Sequence, residues 1–521
     1  MAFLSTTIMG SLHQLWARLR GNSSAHKRLD DERPLRSALF SASQMEQHGK
    51  ILAATHTLSA GHTPEQLLAR LGENEVVLQE VRDLFTEAVK GNHRITPAGE
   101  WLLDNFYLVE EQIRTAKKHL PKRYIKGLPR LGDGPSKGLP RVYDIAMETI
   151  SHGDGRVDPE SLSSFVAAYQ TVTVLKLGEL WAIPIMLRLA LIENLRRIVT
   201  RIAADRIDSN LADHWADRIT ETAETNPKDL MLVIADMARS KPPLVSSFVA
   251  ELTRRLQGQS PALALPLTWI EQQLSETSLT IVQLVQSENQ QQAADQLSIS
   301  NSIGSLRFLS AMDWRKFVES RSVVEQTLCE DPAEVYGKMD FTTRDRYRHV
   351  VEEIGKSSPL SENEVARIAI RLAGEGAGRV DGDGRENHVG FYLMDKGLAL
   401  LEKTAGVRLS FPEAFRKAIR RFPVLFYLGT ICMLTVVFAG YLLVEEHANG
   451  LRGPWVWLMG VVLLPGLSQL AIALVNWLAT LLVAPHPLPR MDFSKGIPVE
   501  SSALVVVPTM LTGAENIEHL M

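Results

Sequence analysis

Two long stretches without charge constrain this chain more than any other feature. Between Arg421 and Glu445, and again between Arg452 and Arg490, there is no Asp, Glu, Lys or Arg, and most positions in both runs are apolar. A membrane-spanning helix needs about 20 apolar residues at roughly 1.5 Å each. Backbone polar groups in lipid must be satisfied within the segment, which selects helices. We therefore expect a transmembrane hairpin over residues 412–490, with spans at about 422–444 and 455–483. The soluble alternative, a helical pair buried in a core, fits the hydropathy less well. Pro465-Gly466 inside the second run predicts tilt or a kink. Gln469, Asn476 and Thr480 share one face. Interhelical hydrogen bonding is the plain reading of that face, and a polar conduit shared with further helices is the other.

Arg416, Lys417, Arg420 and Arg421 precede the first run, whereas the connection 445–452 carries two acids and one arginine. The excess of positive charge on the cytoplasmic side of membrane proteins then places residues 1–421 in the cytoplasm. Two spans return the chain to that side, where Arg490 and Lys495 follow. The connection is periplasmic if the host is Gram-negative.

A chain of 521 residues has room for several domains, and its net charge of −4 argues against a nucleic-acid partner. Cys329 and Cys432 are the only cysteines, and no C-x-x-C spacing exists, so neither a disulfide nor a cysteine metal site is expected. A reduced, cytosolic setting fits the soluble part. Residues 1–34 lack the apolar core and cleavage site of a secretory signal and are expected to be mobile.

Residues 35–411 are expected to form an all-helical domain. Capping chemistry marks helix starts, because the free N–H groups of a first turn need acceptors. Ser41 to Gln44 is a capping-box pattern. Thr63-Pro64 opens a helix that Gly72 is placed to stop. Thr96-Pro97 opens another, with Leu102, Phe106, Val109 and Ile113 along one face. Asp158-Pro159 leads into a helix expected through Ser161 to Leu180, and Pro184 predicts a kink or break between Gly178 and Ile185. Beyond it Leu187, Leu191, Leu195, Ile198 and Ile202 form a stripe, and Glu193 can pair with Arg197. The more polar stretch 213–299 keeps helical periodicity and reads as exposed helices of a bundle or an arm. Asp313, Thr342-Thr343 and Ser361 to Glu364 mark three further starts. No alternating strand pattern of useful length appears before residue 500.

Several groupings invite functional readings and support them poorly. The basic stretch from Pro121 to Pro140 suits a phosphate or anionic headgroup, but a solvated connection explains it as well. His152-Gly153-Asp154-Gly155 hints at a metal, yet two ligands are too few and the glycines match a tight turn. Glu179 and Glu193 resemble an acid/base pair, but neighbouring arginines are their simpler partners. The glycine-rich stretch 374–378 lacks the strand and Lys-Ser/Thr pair of a phosphate loop. Residues 381–386 carry Glu386 where a calcium loop needs its turn glycine. No catalytic or metal-binding residue is assigned.

After the second span, residues 503–509 have a short buried-strand pattern, and Thr512 to Met521 begins a helix. Strand, loop, helix is how a nucleotide-binding α/β domain starts, so 491–521 is expected to be the truncated opening of such a domain. Residues 1–521 are expected to be the front of a longer protein.

Several runs of unusual composition carry a family resemblance. Leu103 to Gln112, with Leu120-Pro121 and Leu128-Pro129, resembles the N-terminal region of bacterial cyclic β-1,2-glucan synthases. So do His152 to Asp158, Leu177 to Arg188, Met339 to Arg348, His388 to Leu393 and Leu488 to Phe493. The resemblance implies a multi-pass inner-membrane glycosyltransferase that polymerises glucose from UDP-glucose, starting from a glucan primed on the protein, and cyclises the product as a periplasmic glucan. It implies a GT-A-like transferase domain with a divalent metal, Mg or Mn, after the first two spans, and a C-terminal phosphorylase-like module. The metal-binding and catalytic residues would lie beyond Met521, and by analogy with GT-A folds Pro508 and Thr509 would contact the uridine. The expected partners are the bilayer, the downstream transferase and phosphorylase modules and the growing glucan. The fragment alone is expected to be inactive, serving as scaffold and membrane anchor. The alternative is a stand-alone membrane-anchored helical adaptor without catalytic activity.

Overall fold

The computed structural model describes residues 34–59, 66–91, 94–258, 263–276, 278–377, 384–408, 419, 422–448, 454–482, 488–499 and 502. The fold is mainly α, and among the described residues it has isolated β-bridges but no strand. The expected strand at 503–509, the helix start at Thr63-Pro64 and residues 1–33 lie outside the described residues. Contacts divide the chain into two compact units, Met1–Ser322 and Val323–Met521, with the boundary inside the stretch expected as one helical domain.

The first unit is organised on one long helix. Its elements are α1 (Ala42–Thr55), α2 (Leu67–Lys90), α3 (Pro97–Asp104), α4 (Phe106–His119), α5 (Lys122–Gly127), α6 (Arg141–His152), α7 (Pro159–Gln170) and the 49-residue α8 (Leu177–Thr225). There follow α9 (Leu230–Ser240), α10 (Ser246–Leu256), α11 (Ala264–Ser275), α12 (Ile281–Ala311) and α13 (Trp314–Arg321). The N-terminal half of α8 is buried on every side: Leu180, Met186, Leu187, Leu191, Leu195 and Ile198 join a core shared with α1 to α7 and with Ile299 to Leu309 of α12. Its C-terminal half builds a second core, in which Trp215 and Ile219 pack with Leu230, Phe248, Leu252 and Ile270. The stretch expected as exposed helices of a bundle or an arm therefore carries its own packed interior, as a bundle does.

Local chemistry sets the helix starts where the sequence placed them. Ser41 makes a full capping box with Gln44, the Thr96 side chain accepts from Gly99 N–H, and Asp158 and Asp313 cap α7 and α13. Two expectations fail, and of the kink or break expected at Pro184 the break does not occur. Helix α2 runs through Gly72 to Lys90: glycine costs about 1 kcal/mol in a helix interior, and burial of Leu71, Leu78, Val81 and Phe85 outweighs that. The helix from Asp158 ends at Gln170, where the Thr171 N–H closes on carbonyls of the last turn, and α8 starts afresh at Leu177. Pro184 sits inside α8 without breaking it, because Ile183, Pro184, Met186 and Leu187 are all buried and tertiary packing compensates the lost hydrogen bond.

The second unit holds α14 (Val323–Leu328), α15 (Phe341–Ser357), α16 (Glu362–Ala377), α17 (Val389–Met394) and α18 (Leu398–Thr404) around Leu328, Tyr336, Val351, Val365 and Leu393. Helix α15 starts one residue before Thr342, with Asp340 as its cap accepting from Thr343 N–H. Ser361 and Glu364 exchange the hydrogen bonds of a capping box. The unit also contains α19 (Pro423–Ala448) and α20 (Pro454–Leu482), which pack on each other as a hairpin.

Candidate functional site

Pro423–Glu445 and Leu458–Leu481 are long and apolar enough to cross a membrane, and they agree with the spans read from sequence. Their apolar side chains face outward: Val436 is 70% and Leu481 65% exposed. Thr435, Ala471 and Val475 are buried, and a Cβ on Gly460 would already touch Leu443. The polar face of α20 is partly spent between the two helices, since Tyr427 OH donates to Asn476 Oδ1 at 2.8 Å. Thr480 Oγ1 returns to the carbonyl of Trp477. Pro465 lies within α20, whose helix continues past it.

The chain that follows the hairpin is tied to the start of α15. Met339 and Met491 form an antiparallel bridge, Asp340 N donates to Arg490 O at 2.9 Å, and Asp492 N donates to Lys338 O at 2.8 Å. Arg490 N also donates to Thr343 Oγ1 at 3.0 Å. Two of the runs that carry the family resemblance, Met339 to Arg348 and Leu488 to Phe493, are thus in direct contact. Nothing in their spacing of about 150 residues along the sequence announces it.

Behind this junction the second unit buries two carboxylates with full sets of donors. Glu325 accepts from Tyr336 OH and Arg348 Nη1, both at 2.6 Å, and from Arg344. Burial alone would lower the pKa of Arg348, but the charge of Glu325 outweighs it and holds the guanidinium above its ordinary value. Asp331 accepts from the backbone N–H groups of Val335, Tyr336 and Val389 and from His388 Nδ1 at 2.7 Å. Burial pushes the Asp331 carboxyl up, and these hydrogen bonds bring it below the usual range. His388 Nε2 is buried without a hydrogen-bond partner among the described residues. A Cβ at Gly390 would lie 2.5 Å from both that nitrogen and Tyr347 OH, so any larger residue there would have to displace these rings. The run His388 to Leu393 is therefore a packing constraint around Asp331.

In the first unit the two glutamates that mimic an acid/base pair serve arginines. Glu179 is fully buried and takes both Nε and Nη2 of Arg141 at 2.6 Å. Glu193 takes a bidentate pair from Arg70, a bond from Asn74 and, as expected, one from Arg197. Burial would raise the Glu193 carboxyl, but hydrogen bonding and charge from Arg70, Arg196 and Arg197 hold it well below the carboxylate range. The basic stretch after Pro121 turns two of its arginines inward, Arg130 onto the Gly138 carbonyl and Arg141 onto Glu179. Asp154 of the tight turn receives Arg36. Pro508 and Thr509, the expected uridine contacts, lie outside the described residues.

No protein-family model matches the chain. The chain is 30% identical over 500 residues to the cyclic beta-(1,2)-glucan synthase NdvB of Rhizobium meliloti (strain 1021), a match that covers 95% of this chain and 17% of that protein. This bears out the resemblance carried by the quoted runs: nearly the whole chain aligns with a part of a cyclic β-1,2-glucan synthase.

Proposed function

We propose that the chain is the scaffold and membrane-anchor part of a cyclic β-1,2-glucan synthase that takes glucose from UDP-glucose. The observation that carries this reading is the similarity to NdvB over 95% of the chain. The uncharged hairpin supports a place in a bacterial inner membrane, with the helical units and the segment after α20 in the cytoplasm. The contact between 338–343 and 490–492 supports it further, because segments that touch must lie on the same side of any bilayer the hairpin crosses. The buried carboxylates Glu179, Glu193, Glu325 and Asp331 are satisfied by partners within the fold, which suits a scaffold. In this reading the transferase and phosphorylase modules, their divalent metal and the glucan attachment site belong to other parts of the same protein, and this portion transfers no glucose alone.

The test is made in host membranes. An antibody against residues 40–400 is expected to mark a band several-fold larger than this chain. Membranes from cells with the gene are expected to incorporate labelled glucose from UDP-glucose into β-1,2-glucan, and membranes from an in-frame deletion of residues 35–411 are not. A band of the size of this chain, or incorporation unchanged by the deletion, overturns the proposal, and the former favours the adaptor.

A further inference from the structure

His48 on α1 and Glu148 and His152 on the last turns of α6 bring three ligand atoms within 4.8 Å of one another. Glu148 Oε2 lies 2.8 Å from His48 Nε2 and 3.3 Å from His152 Nε2. Donors bound to zinc at 2.0–2.1 Å in a tetrahedron stand about 3.3 Å apart, so one of these edges already matches and the other needs a small opening. His152 Nδ1 lies 2.7 Å from the Ala38 carbonyl, which can only accept, so the hydrogen is on Nδ1. In a neutral imidazole the Nε2 lone pair then faces a carboxylate oxygen. A metal ion between these two acceptors would satisfy both.

The surroundings suit the ion. An outer carbonyl that fixes the tautomer of a histidine ligand is the usual support of a metal site. Phe40 stacks on the His152 ring at 3.7 Å and His48 lies parallel to Phe165, so both rings are held in place. The C-terminal end of α6 favours positive charge. Glu148 remains partly exposed, so solvent reaches the group.

We propose that His48, Glu148 and His152 bind a divalent transition-metal ion of the zinc class, which braces α1 and the segment before it against the end of α6. Two imidazoles and a carboxylate suit zinc, whereas magnesium prefers an all-oxygen shell. The inference is independent of the glucan reading. Sequence showed His152 alone, because the other two ligands stand on a different helix and one turn earlier on the same helix.

The full chain, purified in detergent and stripped with a chelator, is titrated with zinc and with cobalt. Wild type is expected to retain about one zinc per chain and to give the visible absorption of tetrahedral cobalt. Glu148→Gln and His48→Gln, confirmed as folded by circular dichroism, are expected to lose more than the tenfold to hundredfold that outer-shell changes typically cost in metal affinity. Zinc retained equally by both variants overturns the proposal. So does a wild type that gives no cobalt absorption, a readout that stands even where the variants do not fold.

Discussion

Helix α8 and the hairpin helices are all long and rich in apolar residues, yet they answer to opposite surroundings. The first half of α8 is buried by protein and carries Glu179, Glu193 and Arg197 into the interior, each with a partner. Helices α19 and α20 turn their apolar residues outward and contain no charge between Pro423 and Val444 or between Pro454 and Leu482. A buried charge is tolerable where the surrounding chain supplies its counterpart, and lipid supplies none. The lesson is that missing charge, more than abundant leucine, separates a helix solvated by lipid from one solvated by protein.

The comparison breaks most visibly at Glu193. Glu193→Ala removes a buried carboxylate that Arg70, Arg196 and Arg197 bond, and we expect a loss of about 3–5 kcal/mol, read by urea unfolding at neutral pH. The carboxyl is held below its unfolded value, so its contribution is full above about pH 5 and the difference from wild type narrows as acid protonates it. Val436→Arg places the same kind of charge on the outward face of α19, where no partner waits. It is expected to cost about 2.5–3.5 kcal/mol of insertion, seen as chain extracted by carbonate that remains with the membrane in wild type.

Asp205 on α8 sharpens the contrast, being a charge without adequate compensation. Burial, with Glu288 and Asp208 adding repulsion and Arg201 only partly opposing, pushes its carboxyl up to about 7. The unfolded chain releases that proton near pH 4, so the fold binds the extra proton between about pH 4 and pH 7 and loses stability as pH rises through that window. Asp205→Asn is expected to match wild type below about pH 4 and to exceed it by about 1–2 kcal/mol at pH 8, allowing for a half-buried site. The check is the unfolding temperature against pH. The smallest effect is in the hairpin itself: Tyr427→Phe removes the bond to Asn476 and is expected to cost only about 0.6 kcal/mol in helix association, measured by thermal unfolding in detergent.

What was legible in the sequence was mostly local. Ser41, Thr96, Asp158, Asp313 and Ser361 cap their helices because a side chain three residues from its target depends on little else. The two apolar helices were legible because long runs without charge can be read without knowing any partner. Gly72 misled because a propensity of about 1 kcal/mol yields to a core assembled from distant segments. The same distance hid the sites. Glu193 showed Arg197, four residues on, but not Arg70, and His152 showed Asp154, which turned out to serve Arg36, but not His48.

The bridge between Met339 and Met491 bears on how the chain is made. Residues 338–343 leave the ribosome well before their partner, which arrives only after both apolar helices have been made. One crossing, or three, would deliver Met491 to the opposite face and leave the pairing edge open. For a hairpin that crosses a bilayer, the junction therefore closes only on an even number of crossings.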